Sequence, residues 1–395
     1  MLPPFSFARI PHIIFGTGKL NELYNIIPKY GKRILFVMGA RSLKQSGKWG
    51  EIESVLEKNF IDFSSINVSE EPSPSFIDSN ISKLKNKNLD LVIGIGGGSV
   101  TDAGKAISAM LTKGDSIKNY LEGVGNKIHD GKKIPYIAVP TTSGTGSEAS
   151  KNAVITQVGP EGFKKSLRHD NLIPNIVIID PELMISCPPS ISAACGMDAF
   201  TQLLEAYVSS KGNPITDALA FSGLKFVSEN LISACSTGAK NIEVRAAMAY
   251  GSLLSGITLA NAGLGIIHGL ASPIGGYFEI PHGVVCGTLL AEATKMNIKM
   301  LQKANSAGKK GLRKYAEIGA LLSGKSGVKE TRIYEYCFFL IDILEKWTKE
   351  LKIDRLGKYD IKIEDVEKII KIADIKNNPV NLSEENIRAI LVSRI

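Results

Sequence analysis

The chain has 395 residues, 44% hydrophobic and 22% charged: long enough for two domains, and composed like a soluble globular protein, not a disordered or fibrous one. Its net charge of +8 is scattered in short lysine doublets (Lys132-Lys133, Lys164-Lys165, Lys309-Lys310) without aromatic interleaving. That reads as a solvated surface, admits an anionic small ligand such as a dinucleotide, and argues against nucleic acid. Five cysteines, at 187, 195, 235, 286 and 337, form no CxxC pair and are odd in number, which speaks against a disulfide scaffold or zinc finger and for a reducing cytoplasm.

The opening MLPPFSFARIPHIIFG lacks a basic segment followed by a long apolar core, so no secretory signal is expected. Four apolar runs follow at intervals: residues 34–38 (ILFVM), 91–95 (LVIGI), 136–139 (YIAV) and 176–179 (IVII). Runs this short and this continuous suit strands buried on both faces of a parallel sheet. Helical patterns at 76–87 and 101–111 separate them, which predicts a doubly wound, mainly parallel, Rossmann-like α/β domain over 1–183. Cys187-Pro188-Pro189-Ser190 reads as a linker and helix start, with Ser190 a candidate cap. Thereafter helical periodicity runs through 192–209, 213–236, 243–260, 315–322 and 334–351, with two shorter amphipathic helices after Ile361, so residues 184–395 are predicted to be all-helical. From Ala246 to Phe278 no residue is formally charged, yet the stretch is rich in Gly, Ala, Ser and Asn and contains His268 and Pro273, so it is read as buried helix and not as a membrane span.

Two loops carry the first chemical signal. Gly96-Gly97-Gly98-Ser99 follows a strand and opens a helix, where glycines let the backbone approach an anion and the helix N-terminus attracts it. The dinucleotide fingerprint requires glycine where Ser99 stands, so that motif strictly fails. The loop from Pro140 to Glu148 (PTTSGTGSE) also follows a strand, and its hydroxyls and open amides suit phosphate or ribose. Two such loops at neighbouring strand ends point to a nucleotide pyrophosphate at the carboxyl edge of the sheet.

The helical half holds the second signal. Asp198 lies in an apolar helix with Gln202 four residues on, on the same face, and a lone buried carboxylate is costly unless paired or metal-bound. His268 and His282 are two of only five histidines. One carboxylate oxygen with two imidazoles makes a mixed N/O set suited to Zn2+ or Fe2+.

Taken together, these segments resemble the iron-containing (group III) alcohol dehydrogenase family along nearly the whole chain. The resemblance rests on residues 96–105 (GGGSVTDAGK), 140–148 (PTTSGTGSE), 180–183 (DPEL), 196–199 (GMDA), 263–269 (GLGIIHG) and 280–283 (IPHG). It implies a dehydroquinate synthase-like architecture with a nucleotide-binding α/β domain, a helical domain and a divalent metal between them. The implied activity is hydride transfer between a small primary alcohol and NADP or NAD, by a homodimer in the cytoplasm that needs neither membrane nor nucleic acid. Carried over by position, Gly96, Gly97, Gly98 and Ser99 hold the pyrophosphate, and Asp102 lies near the nicotinamide end. Thr141, Thr142 and Thr145 line the cofactor, and Lys164, with Lys165 beside it, lies near the ribose. Asp198, His268 and His282 match catalytic metal ligands. Gln202 stands where the family has a histidine and is taken with them as the fourth position of the metal set; its neutral oxygen is the weaker, harder donor, leaving Fe2+ and Zn2+ both open. Ser272 replaces a further histidine four residues after His268, removing a possible proton relay. After Val37, the strand ends in Met38-Gly39-Ala40-Arg41-Ser42 with no carboxylate for a ribose 2′-hydroxyl, and Arg41 or Lys44 suits a 2′-phosphate, which tips Gly39's side of the site towards NADP. Rival readings are a maleylacetate reductase-like enzyme without a firm metal demand, a dehydroquinate synthase-like lyase, and a non-catalytic nucleotide-binding protein.

Overall fold

The computed structural model of the chain describes residues 4–40, 42–325 and 327–395. Eight strands occur in the first half: β1 (His12–Phe15), β2 (Arg33–Gly39), β3 (Asp62–Val68), β4 (Leu91–Gly96), β5 (Tyr136–Pro140), β6 (Asn152–Gln157), β7 (Phe163–Arg168) and β8 (Ile176–Ile179). Six form one parallel sheet in the order β1-β8-β5-β4-β2-β3, while β6 and β7 make a separate antiparallel hairpin. Both faces of the sheet are covered. Leu35 and Val37 of β2 point into one core with Val92, Ala138 and Val177; Ile34, Phe36 and Met38 point into the other with Ile93, Val139 and Ile178. This double burial is why the central strands read as unbroken apolar runs.

The helices α1 (Glu22–Ile26), α2 (Ser42–Gln45), α3 (Lys48–Lys58), α4 (Pro74–Leu84) and α5 (Gly98–Met110) accompany the strands. The chain runs from β2 outward to β3 and then returns past β2 to β4, so the strand order reverses between β2 and β4. In an open α/β sheet, ligands bind outside the carboxyl ends of the strands at such a reversal. Gly39 ends β2 and Gly96 ends β4, so the two flank that point.

The second half contains α6 (Pro189–Val208), α7 (Pro214–Ala234), α8 (Ile242–Ala262), α9 (Ile266–Tyr277), α10 (His282–Lys303), α11 (Lys309–Leu322), α12 (Ile333–Glu350), α13 (Val366–Ile372) and α14 (Glu384–Val392), with no strand among the described residues. Ser190 does not cap α6. The cap position is Pro188, without a side-chain bond, because Pro189 takes the first helical position, where its fixed φ is already helical and its missing N–H costs nothing. The uncharged run from Ala246 to Phe278 is split between α8 and α9, which are bent by 100°, and among the described residues no single helix is long and apolar enough to cross a membrane.

The two halves meet where the Pro140–Glu148 loop presses on α8. Gly146 holds a left-handed φ of +58°, and a Cβ on Gly256 of α8 would lie 2.0 Å from the Gly146 carbonyl oxygen. Only glycine fits this approach, which brings the sheet edge against the helical bundle.

Candidate active site

On the sheet side, the first turn of α5 and the Pro140–Glu148 loop form one wall. Gly97 is the cap residue of α5, so the first amides of a 13-residue helix point outward from the end of β4. A Cβ on Gly98 would sit 2.8 Å from Thr145 Cγ2 and 2.9 Å from Thr145 Oγ1. The two loops therefore come together, and glycine is what leaves a cradle between them. Asp102 stands one turn along α5, accepts a hydrogen bond from Ser147 Oγ at 2.5 Å and lies 3.4 Å from Lys105 Nζ. Burial raises the Asp102 carboxyl above its usual range despite the pull of Lys105 and Ser147. Lys105, fully buried, donates to the carbonyl of Ser147 at 2.9 Å and to Ser150 Oγ at 3.2 Å, tying the loop to the helix. Burial also pushes Glu148 up to about 7.

On the helical side, α6, α9 and α10 converge. Asp198, Gln202 and Glu205 follow at spacings of four and three along α6, so all three face inward. His268 is in the first turn of α9 and His282 is the first residue of α10. His268 Nε2 is 3.3 Å from Asp198 Oδ1, and His282 Nε2 is 3.7 Å from the same oxygen. The other nitrogen of His268, Nδ1, is 2.7 Å from Glu205 Oε2, and Glu205 Oε1 accepts from the Ile267 amide at 2.7 Å. This carboxylate–imidazole pair fixes the ring so that Nε2 faces Asp198, the outer support typical of a metal-binding histidine. His282 Nδ1 is buried without a partner. Cys286, one turn after His282, completes a group in which one donor atom from each of Asp198, His268, His282 and Cys286 lies within 4.8 Å of the others.

Two of the four groups, Asp198 and His282, are held in the protonation state that a bound cation requires. Burial raises the Asp198 carboxyl, but His282 and His268 outweigh it and hold the group below its usual range. Burial pushes His282 down to about 4, so its ring is neutral near pH 7 with a lone pair free to bind metal. Burial opposes the charged form of His268, yet Cys286, Asp198 and Glu205 together raise it well above the ordinary histidine value. Burial lifts the Cys286 thiol to about 12. A buried carboxylate, two imidazoles and a thiol fit a borderline divalent metal in chemistry and in mutual distance.

A cleft of about 220 Å³ lies between the two walls. Gly98, Ser99, Asp102, Thr145 and Lys164 line it, together with Gln202, His268 and His282. Lys165 does not, so of the two adjacent lysines it is Lys164, paired with Glu71, that faces the site. Gly39, Gly96, Gly97, Thr141 and Thr142 lie off this wall; Thr141 instead extends the sheet, its amide donating to the Gly96 carbonyl at 3.0 Å. Asp198 sits behind the wall, nearly fully buried. Arg41 lies outside the described residues, and Lys44 is exposed on α2. Ser272 joins the hairpin to α9 by donating to the Lys164 carbonyl at 2.7 Å.

Sequence reasoning missed Cys286, Glu205 and Lys376. Glu205 was detectable, standing three residues after Gln202 on the face that it shares with Asp198. Lys376, which donates to the His268 carbonyl at 2.9 Å, follows α13 with no local motif to mark it.

Two profiles match the chain: "iron-containing alcohol dehydrogenase" over residues 11–181 and "Fe-containing alcohol dehydrogenase family, C-terminal" over 192–395. The chain is 32% identical to alcohol dehydrogenase 4 of Saccharomyces cerevisiae, over 99% of this chain and 96% of that protein. It is 30% identical to long-chain-alcohol dehydrogenase 1 of Geobacillus thermodenitrificans, over 97% and 94%. A crystal structure of a 1,3-propanediol oxidoreductase superposes with a TM-score of 0.86 at 27% identity, covering 100% of both chains. Fold, cleft and sequence agree: the chain belongs to the iron-containing alcohol dehydrogenase family.

Proposed function

We propose that this protein catalyses reversible, metal-dependent hydride transfer between a small primary alcohol and a nicotinamide dinucleotide, with NADP preferred. Residues 1–183 serve as the nucleotide-binding domain and 184–395 as the metal-binding, catalytic domain. The supporting observation is that the mouth of α5 and the Asp198–His268–His282 cluster border one cleft, an anion cradle opposite a cation site. The alcohol-oxidising relatives support the reaction class.

When bound, the metal would supply a Lewis acid for the alcohol oxygen and the nicotinamide dinucleotide a hydride acceptor. The chain supplies the rest. Asp198, His268 and His282 hold the metal, and Glu205 keeps the Nδ1 proton of His268 so that Nε2 stays free to bind. The amides at the start of α5 and the Thr145 hydroxyl bind the pyrophosphate, while Lys164 serves the ribose. The cleft between sheet edge and bundle brings alcohol and nucleotide together. Preference for NADP follows from residues 39–45 (GARSLKQ), which offer two cations and no carboxylate at the end of β2.

Metal removal tests this directly. Chelated protein is expected to lose NADPH-dependent reduction of short aldehydes and to regain it on anaerobic addition of Fe2+ or Zn2+, with NADH slower throughout. Turnover indifferent to chelation would replace this reading with a metal-independent reductase.

A further inference from the structure

We propose that Cys286 is the fourth protein ligand of the metal and that Gln202 positions Asp198 without ligating, giving one carboxylate, two imidazoles and one thiolate. The inference rests on the metal-dependent reading above and assigns its ligands.

Position supports it first. Cys286 lies one turn beyond His282 on α10, so both side chains leave the helix on the face that meets α6. Its sulfur is 3.6 Å from His268 Nε2 and 3.7 Å from His282 Nε2. The other buried cysteine of the helical half behaves differently: Cys337 Sγ donates to the Leu312 carbonyl, as an inert core thiol does.

Distances supply the second argument. Zinc–ligand bonds of about 2.0–2.3 Å, arranged tetrahedrally, set neighbouring donor atoms about 3.3–3.8 Å apart. Four of the six separations are 3.3 Å (His268 to Asp198), 3.7 Å (His282 to Asp198), 3.6 Å (Cys286 to His268) and 3.7 Å (Cys286 to His282). Each falls in that interval, so four of the six edges already have the length a tetrahedral zinc site needs.

Gln202 supplies the third. Its Oε1 accepts from Ser255 Oγ at 2.8 Å, and its Nε2 donates to Asp198 Oδ2 at 3.3 Å. The end of the amide that faces the cluster is thus a donor, which cannot bind a cation but does steady the carboxylate. Replacing an imidazole with a thiolate softens the site and favours Zn2+ over Fe2+. Zinc also accepts a fifth ligand during reaction, which leaves room for the alcohol oxygen.

Cobalt(II) loading of the full chain, without oxygen, tests the assignment, because a thiolate on Co2+ gives a charge-transfer absorption in the near ultraviolet that nitrogen and oxygen ligands do not. Wild type is expected to hold one Co2+ per chain and show the band. Gln202→Ala should keep the band. Cys286→Ser should lose it, and its Zn2+ affinity should drop by at least the roughly 10–100-fold that loss of an outer-shell partner costs. Should Cys286→Ser fail to fold, the wild-type and Gln202→Ala spectra still decide. Cobalt bound to wild type without the band overturns the assignment while leaving a metal enzyme. A wild type that retains no cobalt overturns both the assignment and the metal reading. The band in a protein that oxidises no alcohol with either nucleotide supports the ligand assignment and overturns the proposed function alone.

Discussion

Asp198→Asn is expected to lower kcat/KM for alcohol oxidation by at least about 100-fold, the upper range seen for loss of a mere outer-shell partner of a metal ligand. Asn keeps the shape of the side chain but has one neutral oxygen in place of two charged ones; with that oxygen on Gln202, an NH2 group that cannot bind a cation takes the place of Oδ1 beside His268 and His282. The fold should persist, because the Asn oxygen can still accept from Gln202 Nε2, and nucleotide affinity should hold, because Asp198 lies behind the cleft wall. Metal analysis alongside steady-state kinetics checks this: metal content and turnover should fall together, with the thermal transition little changed. Unchanged turnover would remove the metal from the mechanism.

Gly98→Val attacks the opposite wall. A Cβ there would lie under 3.0 Å from two atoms of Thr145, so any side chain at this position forces the two loops that form the cradle apart. Overpacking of this kind costs about 1–3 kcal/mol. If that cost falls on the bound state, nucleotide affinity drops roughly 5- to 150-fold at about 1.4 kcal/mol per decade. Fluorescence titration with NADPH measures it, and the metal content of the variant should be normal. Gly50→Ala is the control: it lies on α3 with nothing within 4 Å of the added methyl, so NADPH binding should not change.

What the sequence revealed follows from burial. The runs at 34–38, 91–95, 136–139 and 176–179 became β2, β4, β5 and β8 because both faces of each strand are covered. The pieces with one exposed side left weaker traces. β3, with the sequence DFSSINV, is at the sheet edge, and β7, FKKSLR, is half of a small hairpin that turns Lys164 to the cleft and Lys165 to the surface, so neither shows a run of apolar residues. Helix α10 was not read from the sequence, and α9 was read only as part of one buried helical stretch, because α9 is buried nearly all round and has no polar face to mark its ends. At the site, the glycine cradle and the Asp198–His268–His282 cluster were legible from residue type and spacing. Cys286 was not read as part of it, since a lone cysteine in an apolar helix looks like core until α10 is seen to carry it beside His268. The hydrogen bond that Gln202 accepts from Ser255, 53 positions away in the chain, is likewise encoded by no local pattern.

The proposed reaction requires hydride to pass directly from the alcohol carbon to the nicotinamide within this cleft. A single turnover of metal-loaded protein with NADP+ and a primary alcohol deuterated at C1, followed by mass analysis of the nucleotide, measures that transfer. One deuterium is expected on nicotinamide C4, none when the metal is removed, with strong loss of transfer in Asp198→Asn. Reduced nucleotide formed without deuterium, or deuterium transferred equally well by the chelated protein, would contradict it.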